Sequence, residues 1–404
     1  MNQKLFRFEN DDFVDQTEMR VPLASMRHRM PLRGFSPSWF VRAWSLTAPS
    51  SSRTESALRG SNPRLLVESS PSAREPQVPL CERAPNLNWA ATHADVRAFY
   101  DEARRAIRHD LQDRLSADGG PTMAELELEL EYVMEDAVVG WKSDIHDKNE
   151  NNDTIDNSTE YKMRMALGDV RTLWDTRIRR RIPLQYLTHS AFWRDMVLSV
   201  GPGVLIPRPE TELMVDFVLE AVDGNPSLGR GVWADLGTGS GALAVGVARA
   251  LPEAPLVYAA DIAAEPLAYA AYNAARYAVG DRVRPIESDW FDGLRGCLSH
   301  GSLSGIVSNP PYIPSTTCET LQAEVKDHEP TLALDGDRAL AVDCLVPICR
   351  GAAEMLVEGG FLALETNGGE QAHWIVELLK GYGFSDARIR RDLRGVDRFV
   401  SATR

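Results

Sequence analysis

The sequence lacks several things. It has no apolar run near the roughly 18–20 residues that cross a bilayer, so no spanning helix and no membrane partner is expected. It has no disulfide framework. Cys81, Cys297, Cys318, Cys344 and Cys349 are scattered, odd in number and never spaced as CxxC. Its eight histidines form no HExxH or other ligand spacing, so no metal site is expected. A reducing compartment suits such cysteine usage. Positive charge is also scarce: 44 Lys and Arg stand against 58 Asp and Glu, a formal net charge of −14. Broad binding to phosphate backbones needs cationic surfaces, so direct nucleic-acid binding is not expected. The nucleotide-triphosphate loop GxxxxGKS or GxxxxGKT is absent, and no internal repeat is apparent.

What remains is an ordinary globular composition, 44% hydrophobic and 25% charged, in a chain of 404 residues. That length accommodates two domains. Residues 1–87 carry 12 Lys/Arg against 9 Asp/Glu, and the rest carries 32 against 49. Within the first segment, residues 21–75 are rich in Arg and Ser and poor in acids. Such composition suits an organellar transit peptide or a plain disordered tail. The first twenty residues carry five acids, which an internal start at Met19, Met26 or Met30 would remove wholly or in large part.

Residues 88–182 read as a small helical domain. Val96, Phe99, Tyr100, Ala103, Ile107 and Leu111 recur at helical spacing. "TMAELELELEYVMEDAVV" reads as a second helix started by Pro121 and Thr122, although its Glu/Leu alternation also fits a strand. A polar, flexible stretch over residues 146–160 follows, then a third helix over 161–179. Residues 183–208 read as a β-hairpin linker, and residues 209–404 as the second domain. From Gly231 strands alternate with helices. Strands are expected at 232–236, 256–261, 283–287, 305–308 and 361–366, with helices at 241–251, 266–277, 340–356 and 371–379. Two short strands around Gly395 close the chain. This alternation predicts an α/β fold with a mostly parallel sheet covered on both faces.

Two motifs carry chemistry. "DLGTGSG" ends a strand and turns into a helix through Gly237, Thr238, Gly239, Ser240 and Gly241. Glycines there let backbone approach a ligand. The next strand ends at Asp261, whose carboxylate can accept from a ribose diol or simply cap a helix. The turn is GTGSG rather than GxGxxG, which suits a cofactor with a ribose and an amino-acid end, such as S-adenosylmethionine. The second motif is "SNPPYI". Pro310 and Pro311 force a rigid corner after a strand. The side-chain carbonyl of Asn309 and the backbone carbonyl of Pro310 can accept two hydrogen bonds from a planar amine, on whose face Tyr312 can lie. Such a corner points a nitrogen at a methyl donor and catalyses by orientation. In "ESDWF", Asp289 can bond an adenine amine and Trp290 can stack on its ring, or both can be structural.

These blocks, with "PLQYLTHSAFWRD", "LIPRPETEL", "EPTLALDGD" and "GGFLALETNGGEQA", resemble the HemK/PrmC family of protein-(glutamine-N5) methyltransferases over residues 171–404. The resemblance implies a Rossmann-like methyltransferase sheet with a small helical N-terminal domain that docks the substrate, joined by a β-hairpin. It implies methyl transfer from S-adenosylmethionine to the glutamine of the Gly-Gly-Gln loop in class-1 peptide chain release factors; a monomer is expected. It implies that Gly237–Gly241 and Asp261 hold the cofactor, that Trp290 lies near its adenine, that Asn309 contacts cofactor and substrate, and that Asn309, Pro310, Pro311 and Tyr312 hold the target amide. The chain departs from the family pattern at Thr188-His189, Arg338-Ala339 and Asn367. "FWRD" is similar to plant and cyanobacterial members, which with the N-terminal extension gives a chloroplast as the expected compartment and a mitochondrion as the alternative. Two other functions share the amine grip or the cofactor turn: an adenine-N6 or guanine-N2 nucleic-acid methyltransferase, and an inactive cofactor-binding interaction module.

Overall fold

The computed structural model describes residues 75–110, 119–141, 156–336 and 341–404. The expected extension over 1–74, the polar stretch up to residue 155, Leu111 and the departure at Arg338-Ala339 lie outside the described residues.

The N-terminal domain is built from β1 (Asn86–Thr92), α1 (His93–Asp110), α2 (Met123–Ala137), β2 (Glu160–Met163) and α3 (Leu167–Arg180). The helical stripe of α1 is buried from Val96 to Ile107. The ambiguous Glu/Leu segment is the helix α2, because its start is locked by a capping box. The Thr122 hydroxyl accepts from the Glu125 amide, and the Glu125 carboxylate accepts from the Thr122 amide at 2.7 Å. Leu126, Leu130, Val133, Met134 and Ala137 then form its buried face.

Two expectations are corrected here. The ordered domain starts ahead of residue 88: Leu80 is fully buried in the α1–α2–α3 core, and β1 begins at Asn86. Tyr161–Met163, expected as the first turn of the third helix, instead form β2, antiparallel to β1. Their backbone groups are spent on that ladder, and the helix waits until Leu167, a case of tertiary pairing overriding local pattern.

The linker holds a short helix α4 (Leu184–Thr188) before its hairpin, β3 (Ala191–Trp193) and β4 (Met196–Leu198). His189 caps α4 at φ 55°, the left-handed region that favours glycine. After Pro209 the chain makes a 3-10 turn, Glu210–Glu212, and enters α5 (Leu213–Gly224).

The second domain follows the predicted alternation: β5 (Val232–Leu236), α6 (Ala242–Ala250), β6 (Val257–Asp261), α7 (Ala264–Arg276), β7 (Val283–Glu287), β8 (Leu303–Ser308), α8 (Leu345–Met355), β9 (Leu356–Glu365), α9 (Gly369–Gly381), β10 (Ser385–Arg391) and β11 (Asp397–Thr403). They form one seven-stranded sheet in the order β10-β11-β9-β8-β5-β6-β7. The five strands from β9 to β7 are parallel, and β11 runs antiparallel to both β9 and β10. Alternate residues feed two cores. Trp233, Val307, Phe361 and Ala363 face one side with α5 and α6, while Ala234, Ile306, Leu362 and Leu364 face the other with α8 and α9. The strand order reverses between β8 and β5. In open α/β sheets that reversal opens a crevice at the carboxyl ends of the strands.

The two domains meet through buried charge. Arg177 on α3 is 2% exposed on its side chain and grips Glu129 of α2 with two nitrogens, at 2.6 and 3.0 Å. Its third nitrogen reaches Glu324 at 3.0 Å, in the segment that follows the proline corner. Arg181 holds the same carboxylate, and Arg208 of the linker holds Glu329.

Candidate active site

The loops after β5 and β8 flank that crevice. The Ser308 hydroxyl donates to the Leu236 carbonyl at 2.6 Å, which ties the two strand tips together. Gly237 then lies so close to the second loop that a Cβ there would sit 3.9 Å from both the Trp290 ring and the Asn309 carbonyl oxygen. The structure thus brings Gly237, Trp290 and Asn309 to one place although 72 residues separate the first from the last.

The glycine turn is held from both ends. The amides of Gly237 and Thr238 both donate to the Ala260 carbonyl at 2.9 Å. The Asp261 carboxylate accepts from the Gly239 amide at 3.0 Å and from the Ala263 amide at 3.2 Å. Asp261 therefore braces the turn and holds the backbone just ahead of the next helix without capping it, and burial raises its pKa above the ordinary value. Asn273, fully buried on α7, donates to the Ser240 carbonyl at 2.9 Å and exchanges hydrogen bonds with the Ser199 backbone of the linker.

Gly241 is the closest contact: its φ is 80°, and a Cβ would stand 2.8 Å from the Ala270 Cα. Backbone cannot swing away as a side chain can. Gly241→Ala is expected to cost about 2 kcal/mol or more of stability, read by chemical denaturation. A stability equal to the wild type would show that α6 and α7 are not held at this distance.

Asp235, which motif reading passed over, sits at the end of β5 and is 1% exposed. One oxygen accepts from the Thr238 hydroxyl at 2.7 Å and the Ala244 amide at 3.0 Å. The other, Oδ1, is buried without a partner among the described residues. Burial pushes its carboxyl up to about 7. An orphaned acceptor beneath a glycine turn suits a ligand that brings N–H donors. Gly239 has nothing within 4 Å of where its Cβ would be, so the turn is open on that side.

On the other side of the crevice, Asn309 is half-buried. Its Nδ2 donates to the Thr211 hydroxyl at 3.3 Å. Thr211 in turn donates to Glu365 Oε2 at 2.6 Å, and the Tyr312 hydroxyl donates to Glu365 Oε1 at 2.8 Å. Tyr312 is buried against Ile313 and Leu334, so its ring forms the floor of the corner and its hydroxyl is committed inward. Burial raises its pKa well above the ordinary value, and the phenol stays protonated. The corner's backbone is fixed as well: Ile313 exchanges bonds with Leu334 and Gly336, and Gln371 donates to the Tyr312 carbonyl at 3.2 Å. Pro310 is buried and Pro311 half-buried at this bend. Trp290 is half-buried at φ 45°, and its carbonyl is held by the Ser288 hydroxyl. Asp289 is exposed.

Thr211, Asn273 and Glu365 are site residues that the motifs alone did not reveal. Thr211 and Glu365 were visible only as members of the blocks "RPETEL" and "ALETN". A cavity of about 110 Å³ lies elsewhere, between the domains, lined by Glu125, Arg177, Arg208, Glu324 and Glu329 among others. It is filled with paired charge rather than reactive groups.

Comparison with known proteins adds to this geometry. The profile of the "Methyltransferase small domain" family matches residues 212–340. A release factor glutamine methyltransferase from Thermosynechococcus vestitus is 42% identical over 59% of this chain and 80% of its own length. One from Synechocystis sp. is 44% identical over 57% of this chain and 76% of its own. Among solved structures, a ribosomal protein L11 methylase from Lactobacillus delbrueckii subsp. bulgaricus aligns with TM-score 0.35 at 18% identity, over 52% of this chain and 86% of that one.

Proposed function

The chain belongs to the release factor glutamine methyltransferase family, and from that premise we propose that it transfers a methyl group from S-adenosylmethionine to the side-chain amide nitrogen of the glutamine in the Gly-Gly-Gln loop of a class-1 peptide chain release factor. The observation that carries this reading is the joining of the glycine turn to the Asn309 corner at the tips of β5 and β8. A turn that admits a ligand and a corner that grips an amide face one crevice.

The residues fit the cofactor. The open side of Gly239, the gap between Gly237, Trp290 and Asn309, and the orphan Oδ1 of Asp235 supply room, a ring face and an acceptor for an ammonium group. Asp261 stands where a ribose diol would meet a carboxylate. When bound, S-adenosylmethionine supplies a methyl group made electrophilic by its sulfonium.

The protein's own work is orientation. Asn309 Nδ2 is spent on Thr211, so Oδ1 is left to accept. With the Pro310 carbonyl it makes two neutral acceptors on a corner that cannot rotate. A primary amide has two N–H groups, and both are satisfied there. Its nitrogen, a weak nucleophile, is held in one direction with its protons drawn toward the acceptors. One proton leaves to water once the nitrogen–methyl bond has formed, so no strong base is required. Holding a near-attack geometry is the largest available contribution to rate for such a reaction.

The test is intact and peptide mass spectrometry of a purified class-1 release factor incubated with this protein and S-adenosylmethionine. One added methyl on the Gly-Gly-Gln glutamine is the expected result. An unmodified release factor, with cofactor binding shown by calorimetry, would overturn the substrate reading. For compartment we propose the chloroplast, supported by the Arg- and Ser-rich extension and the cyanobacterial source of the relatives above. N-terminal sequencing of the native protein from isolated plastids tests it, and an uncleaved protein outside the organelle would overturn it.

A further inference from the structure

The Asn309 amide has two possible orientations of opposite chemistry. With Oδ1 toward the crevice it accepts from a substrate –NH₂. With Nδ2 there it would present a second –NH₂ and repel it. Nothing in the asparagine itself chooses between them, since oxygen and nitrogen are nearly equal in size. The choice must come from its hydrogen-bond partner.

That partner is Thr211, whose hydroxyl has one proton to give. Glu365 Oε2 takes it at 2.6 Å. Thr211 Oγ1 is then left only as an acceptor, so it receives Asn309 Nδ2 at 3.3 Å, and Oδ1 turns to the crevice. The chain of direction starts at Glu365 because an ionised carboxylate donates nothing. Its other oxygen is occupied by the Tyr312 hydroxyl at 2.8 Å, so the same carboxylate fixes both ends of the corner. Glu365 is fully buried at the end of β9.

We propose that Glu365 is a positioning residue that sets the polarity of the Asn309 amide through Thr211, and that the enzyme accepts an amide substrate only while Glu365 is ionised. This rests on the reading of the site as an amide methyltransferase.

Every group facing Glu365 bears on its charge. Thr211 and Glu210 face it from the turn before α5, Tyr312 from the proline corner, and Arg398 from β11. Arg398 is shared with Asp392 at 3.1 Å and lies 3.9 Å from Glu210. Burial dominates and pushes the Glu365 carboxyl up to about 7; Glu210 adds to the rise, and Thr211, Tyr312 and Arg398 oppose it. A carboxyl with a raised value is neutral below it. Once protonated, Glu365 can donate to Thr211, which frees the threonine proton to turn on Asn309 Oδ1 and reverse the amide. Turnover should therefore rise as pH increases through about 7.

The experiment measures methyl transfer to the release factor from mildly acidic to mildly alkaline pH for the wild type, Glu365→Gln, Thr211→Ser and Thr211→Val, with cofactor affinity by calorimetry in parallel. The wild type should show an acid limb in kcat that Glu365→Gln lacks. Thr211→Ser keeps the hydroxyl and should retain rate and limb. Thr211→Val cannot accept from Asn309 and should lose about 100-fold in kcat with cofactor affinity unchanged. An acid limb that persists unaltered in Glu365→Gln, or Thr211→Val turning over like the wild type, would overturn the proposal. Should the wild type bind cofactor yet leave the release factor unmodified, the substrate reading fails. The relay is then judged by the Asn309 side-chain amide NMR signals, expected to shift across neutral pH in the wild type and not in Glu365→Gln. Signals unchanged in both would overturn it.

Discussion

Asn309→Ala is expected to yield a folded protein that binds cofactor and transfers essentially no methyl, a loss of about 10³-fold or more in kcat. The size follows from what the side chain does. In the proposed mechanism it supplies one of the two acceptors for the target nitrogen, and Thr211 and Tyr312 cannot replace it, because both are committed to Glu365. The cost to stability is small. Asn309 is half-buried at the end of β8 and makes one long hydrogen bond, at 3.3 Å, whose net worth is about 0.5–1 kcal/mol. Single-turnover transfer and chemical denaturation on the same sample separate the two effects. Turnover within tenfold of the wild type would mean that the corner does not grip the amide, and the catalytic assignment would pass to other groups in the crevice.

How much of this was legible in the sequence depends on how far apart the interacting residues lie. The strands from β5 to β9 were readable mainly from their alternation with helices; β5 and β8 are short apolar runs closed by a glycine or proline signal, whereas β7 carries Arg284 and Glu287, and β9 starts at Leu356, five residues ahead of the expected strand. The glycine turn and the proline corner were readable because their chemistry is local, with backbone shape written by the residues that adopt it. Glu365 was not. Its partners Thr211 and Tyr312 lie 154 and 53 residues away in sequence, and a glutamate at a strand end has no local mark distinguishing it from a solvated one. Asp235 escaped for the opposite reason. It sits inside the motif but beneath the glycines that draw attention, and its unpartnered oxygen exists only in three dimensions. The N-terminal domain was read least well where pairing decides structure. Tyr161–Met163 hold one strong strand former, Tyr161, too little to mark a strand locally, and become one because β1 lies alongside.

Arg177→Ala is expected to be the most destabilising single change in the domain interface, at about 3–5 kcal/mol. Arg177 is 2% exposed on its side chain, and both carboxylates it holds are largely buried, with Glu129 at 10% and Glu324 at 8%. Among the described residues, removing the guanidinium leaves Glu129 without a cation partner and Glu324 with Arg181 alone. An unpaired buried charge, rather than the lost attraction, sets the cost. Arg177→Lys should recover little, because a single ammonium cannot present three nitrogens in the planes that meet Glu129 twice and Glu324 once. Arg177→Met combined with Glu129→Gln should recover more than Arg177→Ala, since it removes a stranded charge and keeps volume. The pH dependence has a definite sign. Burial alone would raise Glu324, but Arg181 and Arg177 outweigh it and leave its value below the ordinary one. Its contribution is therefore present at neutral pH and lost as pH falls through that lowered value. Denaturation midpoints across acidic pH should show this loss in the wild type and a flatter dependence in Arg177→Ala. Catalysis should suffer too, although Arg177 touches no part of the crevice. Glu324 lies in the segment that doubles back along the proline corner and reaches it through the bonds between Leu334, Gly336 and Ile313. Freed from α3, that segment no longer holds the corner at fixed distance from the glycine turn. A rate lost through position falls in kcat while cofactor affinity stays the same. A variant as stable as the wild type would mean that the two domains are held by their apolar contacts, and that the buried charges serve only to choose their register.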